Sequence, residues 1–227
     1  VQNTLIGGLA GDALTDADFN IAVGVSSLSN DTKGNTAVAV GAAALFNQNF
    51  TTSTNNYNTG IGFNAGYSIT TGQSNTLIGG LAGDALQASN NNVAVGASAL
   101  GSDTLGTQST AVGQGVLFSQ NFTTSTISYN SALGYNAGLD ITTGTQNTLI
   151  GYASGANLTD ADFNVVVGTN ALVTDTLGRK SVAIGTQALA TQNFTTATDS
   201  HNVAMGYQTG LLITTGVQNT LIGSLVG

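Results

Sequence analysis

One alternation of apolar and polar positions recurs thirteen times along this chain, and each instance closes on a glycine. The glycines are Gly7, Gly24, Gly41, Gly62, Gly79, Gly96, Gly113, Gly134, Gly151, Gly168, Gly185, Gly206 and Gly223. The residue before each is aliphatic, as in Ile6, Val23, Val40, Ile78, Val167, Ile184 and Met205. Two positions earlier stands a β-branched residue in twelve of the thirteen, Ser131 being the exception. A period of two built from β-branched residues is strand chemistry. Glu is absent and Lys occurs only at Lys33 and Lys180, so strong helix formers are few. The chain reads as all-β.

The glycines are spaced 17, 17, 21 and 17 residues apart, and the cycle repeats as a block of 72. Residues 3–74, 75–146 and 147–218 are three copies of one text, with a partial fourth at 219–227. The copies share NTLIG at Asn3, Asn75, Asn147 and Asn219, QNFTT at Gln48, Gln120 and Gln192, and ITTG at Ile69, Ile141 and Ile213. Self-similarity at so short a period marks a solenoid whose units stack on one another. The expectation is one repeat domain over 1–227, a parallel β-solenoid of thirteen coils of 17 or 21 residues. Both ends fall inside the repeat, as expected for a piece of a longer fibrous protein.

The second half of each coil carries a compensation. Four residues after the glycine stands Leu (Leu28, Leu45, Leu100, Leu117, Leu172, Leu189) or Gly (Gly11, Gly66, Gly83, Gly138, Gly155, Gly210). Coils with that Gly place Leu or Ile three residues on: Leu14, Ile69, Leu86, Ile141, Leu158 and Ile213. Coils with Leu place Asp or Gln there: Asp31, Gln48, Asp103, Gln120, Asp175 and Gln192. One apolar plug per coil keeps its volume while its position alternates, as close-packed interiors require. With the aliphatics of each strand facing in, the residue two before the glycine faces out, and Asp103 is exposed. That outward row holds Leu5, Leu77, Leu149 and Leu221, which soluble chains seldom leave uncovered. Parallel sister chains packed against it would cover it.

Asn stands four residues before the glycine in ten of the thirteen motifs. Stacked on successive coils, such side chains can form a hydrogen-bonded ladder; alternatively each Asn merely turns the chain into its strand.

Charged residues are only 6% of the chain against about a quarter in typical domains. All eleven acids are Asp, the three bases are Lys33, Arg179 and Lys180, and the net charge is -8. That balance argues against a nucleic-acid partner, which would need clustered bases. The absence of Cys removes disulfides and thiolate metal sites. No apolar run approaches a membrane span.

Strings such as NVAVGASAL (Asn92 to Leu100), SVAIGTQAL (Ser181 to Leu189) and NTAVAVGAAAL (Asn35 to Leu45) resemble the YadA-like head repeats of trimeric autotransporter adhesins. The NTxxG start and TTG turn are similar to repeats of phage tail fibres and bacterial surface proteins. The resemblance covers nearly the whole chain and implies a left-handed parallel β-roll that associates as a homotrimer. The coils are longer than the family's head repeat, and no anchor or coiled-coil stalk lies in the sequence.

No catalytic constellation stands out, and no cofactor is called for. His201 is the only histidine, so a repeated Ser-His-Asp triad or a His-based metal cluster is excluded. Asp16 with Asp18, and Asp160 with Asp162, could offer oxygen ligands to calcium, although the second copy lacks these acids. The plainer reading is a solvated acidic loop. The QNFTT segments occupy the longer coils, where loops repeated in phase on a rigid scaffold can bind. Their candidate binding residues are Asn49, Phe50, Thr51, Asn121, Phe122, Thr123, Asn193, Phe194 and Thr195, with burial of the three phenylalanines as the plainer account. The expectation is a non-enzymatic region of an extracellular surface adhesin or fibre, a rigid shaft or head at a cell surface or virion. Its partners would be sister chains and a glycan or protein receptor on a host or cell. A phage tail-fibre shaft with carbohydrate binding and a self-assembling extracellular filament are the competing readings.

Overall fold

A computed structural model describes Val1–Gly227. The chain folds into short strands and turns without a helix, so no helix is long and apolar enough to cross a membrane. It divides into two compact units, Val1–Ser109 with Asn121–Ile127, and Thr110–Gln120 with Ser128–Gly227. Each unit is a parallel β-solenoid, and the two carry thirteen motif strands, one per turn.

In the first unit Thr4–Ile6, Ile21–Val23, Val38–Val40, Thr59–Ile61, Thr76–Ile78 and Val93–Val95 pair in parallel, each with the next. Ile6 pairs with Val23, Val23 with Val40, and Val40 with Ile61, so one column holds one motif position. The second unit stacks Thr110–Val112, Ser131–Leu133, Thr148–Ile150, Val165–Val167, Val182–Ile184, Val203–Met205 and Thr220–Ile222 in the same way.

Left-handed backbone corners turn the coil. In the turn around Gly96 they fall at Asn91 (φ 59°), Ser98 (φ 55°) and Leu100 (φ 52°), and the other turns repeat the positions. Asn tolerates this region, but a leucine there costs roughly 1–2 kcal/mol. The motif glycine answers a different demand. Gly79 has φ 132°, and a Cβ on it would lie 2.6 Å from the backbone of Gly96.

The facing of the strands is the reverse of the expectation. The central residues Ala22, Ala39, Leu77, Ala94, Ala111, Leu149, Val166, Ala183 and Ala204 are fully buried. Their neighbours point out: Ile21 is 41% exposed, Leu133 49%, Ile150 38% and Met205 40%. Leu77 and Leu149 are therefore core residues, and only the end positions Leu5 and Leu221 retain exposure. A short coil has too narrow an interior for two β-branched side chains per strand, so the small central residue goes inside and the larger pair outside.

The plug compensation holds, with a third position added. Where the strand centre is Ala94, the left-handed corner supplies Leu100. Where it is Leu77, the corner is Gly83, and a Cβ there would stand 2.8 Å from Leu77 and 2.7 Å from Leu86. Asp103, expected at the surface, is fully buried, as are Asp31, Asp175, Gln48, Gln120 and Gln192. They fill the plug-alternate position as hydrogen-bonded polar groups, as buried polar atoms must.

The asparagines form a buried ladder. The Oδ1 of Asn58 accepts the backbone N–H of Asn75 at 3.0 Å, Asn75 does the same for Asn92 at 3.0 Å, and Asn92 for Ser109 at 2.9 Å. Each Nδ2 donates to a carbonyl fourteen residues on, as Asn75 does to Ser89 at 2.8 Å. The rungs therefore run mainly from side chain to backbone. Ala37 interrupts the ladder before the first longer turn, and it restarts at Asn58, whose N–H donates to Asn56 Oδ1 at 2.9 Å.

Candidate functional site

Each QNFTT loop grows out of a buried polar cluster. In the first copy Asp31 Oδ1 accepts the N–H groups of Gly34 and Phe50, both at 3.0 Å, and Oδ2 accepts Gln48 Nε2 at 2.6 Å. Gly34 is obligatory, since a Cβ there would lie 2.1 Å from the carboxylate. Gln48 Oε1 accepts Asn58 Nδ2 at 2.8 Å, which ties the loop to the ladder. Outside, the Thr32 hydroxyl lies 3.0 Å from Asn49 Oδ1 and donates to the Phe50 carbonyl at 2.9 Å. Thr54–Asn55 then pairs in parallel with Gly34–Asn35.

The other copies repeat the design. Phe122 N–H donates to Asp103 at 3.2 Å and Phe194 N–H to Asp175 at 2.9 Å, while Thr104 and Thr176 take the place of Thr32. Gln192 donates to Asp175 at 2.6 Å and accepts from Asn202 at 2.7 Å.

Of the nine candidate loop residues, Phe50, Phe122 and Phe194 are buried and anchor the loops. Thr51, Thr123, Thr195, Asn49 and Asn121 are exposed and Asn193 is half-buried. Asn49 alone among them lines a groove, where the fold sets it beside Ala13, Asn30, Asn47, Ser68, Thr70 and Gln87. Sequence reasoning missed those neighbours, because they share a wall only once the coil is closed. Their common signal is phase: they stand six or eight residues after a motif glycine.

His201 occupies an exposed left-handed corner with φ 50°. Asp160 and Asp162 lie 3.8 and 3.5 Å from the Arg179 guanidinium, and Asp162 also accepts the Thr145 N–H. Three or more His, Asp, Glu or Cys side chains converge nowhere in the chain. A hydrogen bond from Lys180 at 2.6 Å holds the Asp199 carboxyl below its ordinary range. Burial pushes the half-buried Asp84 carboxyl up, against a smaller lowering from its own backbone N–H.

Comparison with protein-family models, with characterised proteins and with solved structures yields no match.

Proposed function

We propose that the chain is a non-enzymatic structural region of an extracellular adhesin or fibre, in which copies associate laterally as a homotrimer to make a stiff shaft or head. The observation that carries this reading is the outward strand face. Ile21, Val23, Val40, Ile61 and Ile78 project from one sheet face of the first unit, and Leu133, Ile150, Val165 and Met205 from that of the second. Around Leu133 and Ile150, with Thr110, Val112, Ser131 and Ala132, this face carries a shallow, open apolar hollow. Contiguous apolar surface of this kind marks an association site, and in-register columns present it identically on every copy. Parallel copies related by a three-fold axis can each turn this face toward the shared axis, and the ring closes on itself. The left-handed roll and the count of three rest on the family resemblance.

A shaft differs from a binding head in tolerating a change of length. In the whole protein displayed on its cell or particle, deletion of 75–146 keeps the repeat phase, joining Ser74 to Asn147. Attachment to its target surface should survive that deletion, and loss of attachment by a folded, displayed protein would count against the shaft reading.

A further inference from the structure

The neutral groove at Asn49 runs from the first super-repeat into the first turn of the second. Its lining comes from five successive turns: Ala13, Asn30, Asn47 with Asn49, Ser68 with Thr70, and Gln87. Its volume is about 620 Å³, inside the range of about 300–1,000 Å³ usual for ligand sites. Four steps of about 4.8 Å make it on the order of 20 Å long.

Its walls are rigid. Asn30 N–H donates to the Phe46 carbonyl at 3.2 Å, Asn47 N–H to Tyr67 at 3.0 Å, Asn49 N–H to Thr70 at 2.9 Å, and Thr70 N–H to Gln87 at 3.2 Å. The lining side chains thus ride on a hydrogen-bonded rack. Asn30 Nδ2 donates to Asn47 Oδ1 at 3.2 Å, which orients the Asn47 carboxamide, and Asn49 Oδ1 lies 3.0 Å from the Thr32 hydroxyl. The Nδ2 groups of Asn47 and Asn49 and the Ser68 and Thr70 hydroxyls remain open to a ligand.

The internal copies act as a control. The ladder and the Asp-Gln clusters, which hold the fold, recur in each; this set does not, so the fold does not require it. Instead Asn30 and Asn47 are replaced by Ser102 and Ser119 in the second copy and by Thr174 and Thr191 in the third. The Thr174 hydroxyl is spent on the Ala190 carbonyl at 2.6 Å, and that of Thr191 on Leu211. Ser68 becomes Asp140 and then Leu212, so the wall turns charged in one copy and apolar in the other.

We propose that this groove binds a neutral oligosaccharide. Amides and hydroxyls without a charge suit vicinal hydroxyl groups, which both donate and accept, and offer nothing to a phosphate or sulfate. The length fits several linked sugars, and the rigid rack lowers the entropic cost of binding. The site lies within one chain and is independent of the assembly proposed above.

The test is saturation-transfer NMR on the 1–227 chain with maltohexaose, cellohexaose and N-acetylchitohexaose, and with a heparin hexasaccharide as the anionic control. At least one neutral sugar should bind and heparin should not. The Asn30→Ser/Asn47→Ser variant installs residues that the second copy already carries in phase. It should weaken binding roughly tenfold, the loss of one or two hydrogen bonds, with an unchanged circular dichroism melt. If that variant melts early, Gln87→Thr, the residue type at 159, replaces it with the same expectation. Failure of every neutral sugar to bind at millimolar concentration overturns the proposal, as does preferential heparin binding or undiminished affinity in a folded variant.

Discussion

Gln48 donates its Nε2 hydrogen to Asp31 Oδ2 at 2.6 Å, and both side chains are fully buried. The contact fixes a direction. With Nε2 committed to the carboxylate, Oε1 must face Asn58 Nδ2, and Asn58 in turn serves the ladder.

Asp31→Asn should therefore destabilise, although it is nearly isosteric and removes a buried charge. An amide Nδ2 in place of Oδ2 would confront the Gln48 donor, and flipping Gln48 would set its donor against Asn58. One buried polar pair is left unsatisfied in either orientation, at a cost of about 1–3 kcal/mol. Chemical denaturation of the variant measures it; unchanged stability would show that the network lacks a fixed direction.

Leu100 sits at a left-handed corner with φ 52° and is fully buried. Leu100→Ala should cost about 2–5 kcal/mol through lost burial and the cavity left behind. Leu100→Gly should be no worse, because glycine escapes the corner's strain of roughly 1–2 kcal/mol. In ordinary secondary structure glycine is the poorer residue. Equilibrium unfolding in urea that ranks Gly clearly below Ala would contradict the strained corner.

Asp84 supplies a pH dependence. Its folded pKa is raised above the ordinary value of 3.8 by burial, so the fold disfavours the ionised form. Its favourable contribution is complete only below the unfolded pKa and is lost as pH rises through the folded one. At pH 7 the carboxyl is held in the form that burial disfavours. Asp84→Ala, the residue found in phase at Ala156, should raise the melting temperature at neutral pH, and the gain should shrink under acid below the carboxylate range. A lower melting temperature at neutral pH would mean that Asp84 makes a stabilising contact.

The strands, their register and the alternating plug were legible in the sequence, because each depends on a residue type recurring at a fixed phase. Which strand face lies inside was not. A period of two separates Ala39 from Val38 and Val40, but only the width of the closed coil decides which set fits within it. Hydropathy also misplaces Asp103, whose burial depends on a partner, the Phe122 N–H, supplied by another turn. The outcome for the QNFTT loops was mixed. Burial of Phe50 was foreseeable from its apolar type, whereas the company Asn49 keeps with Asn30 and Asn47 emerges only when turns stack.

Lateral association through the outward strand face is the central claim, and sedimentation equilibrium of the 1–227 chain at micromolar concentration tests it directly. The expected result is a single species of three times the 22.6 kDa chain, reduced to a folded monomer when Ile61 and Ile78 are both replaced by Lys. A wild-type chain that sediments as a folded monomer, with that apolar face open to water, would contradict it.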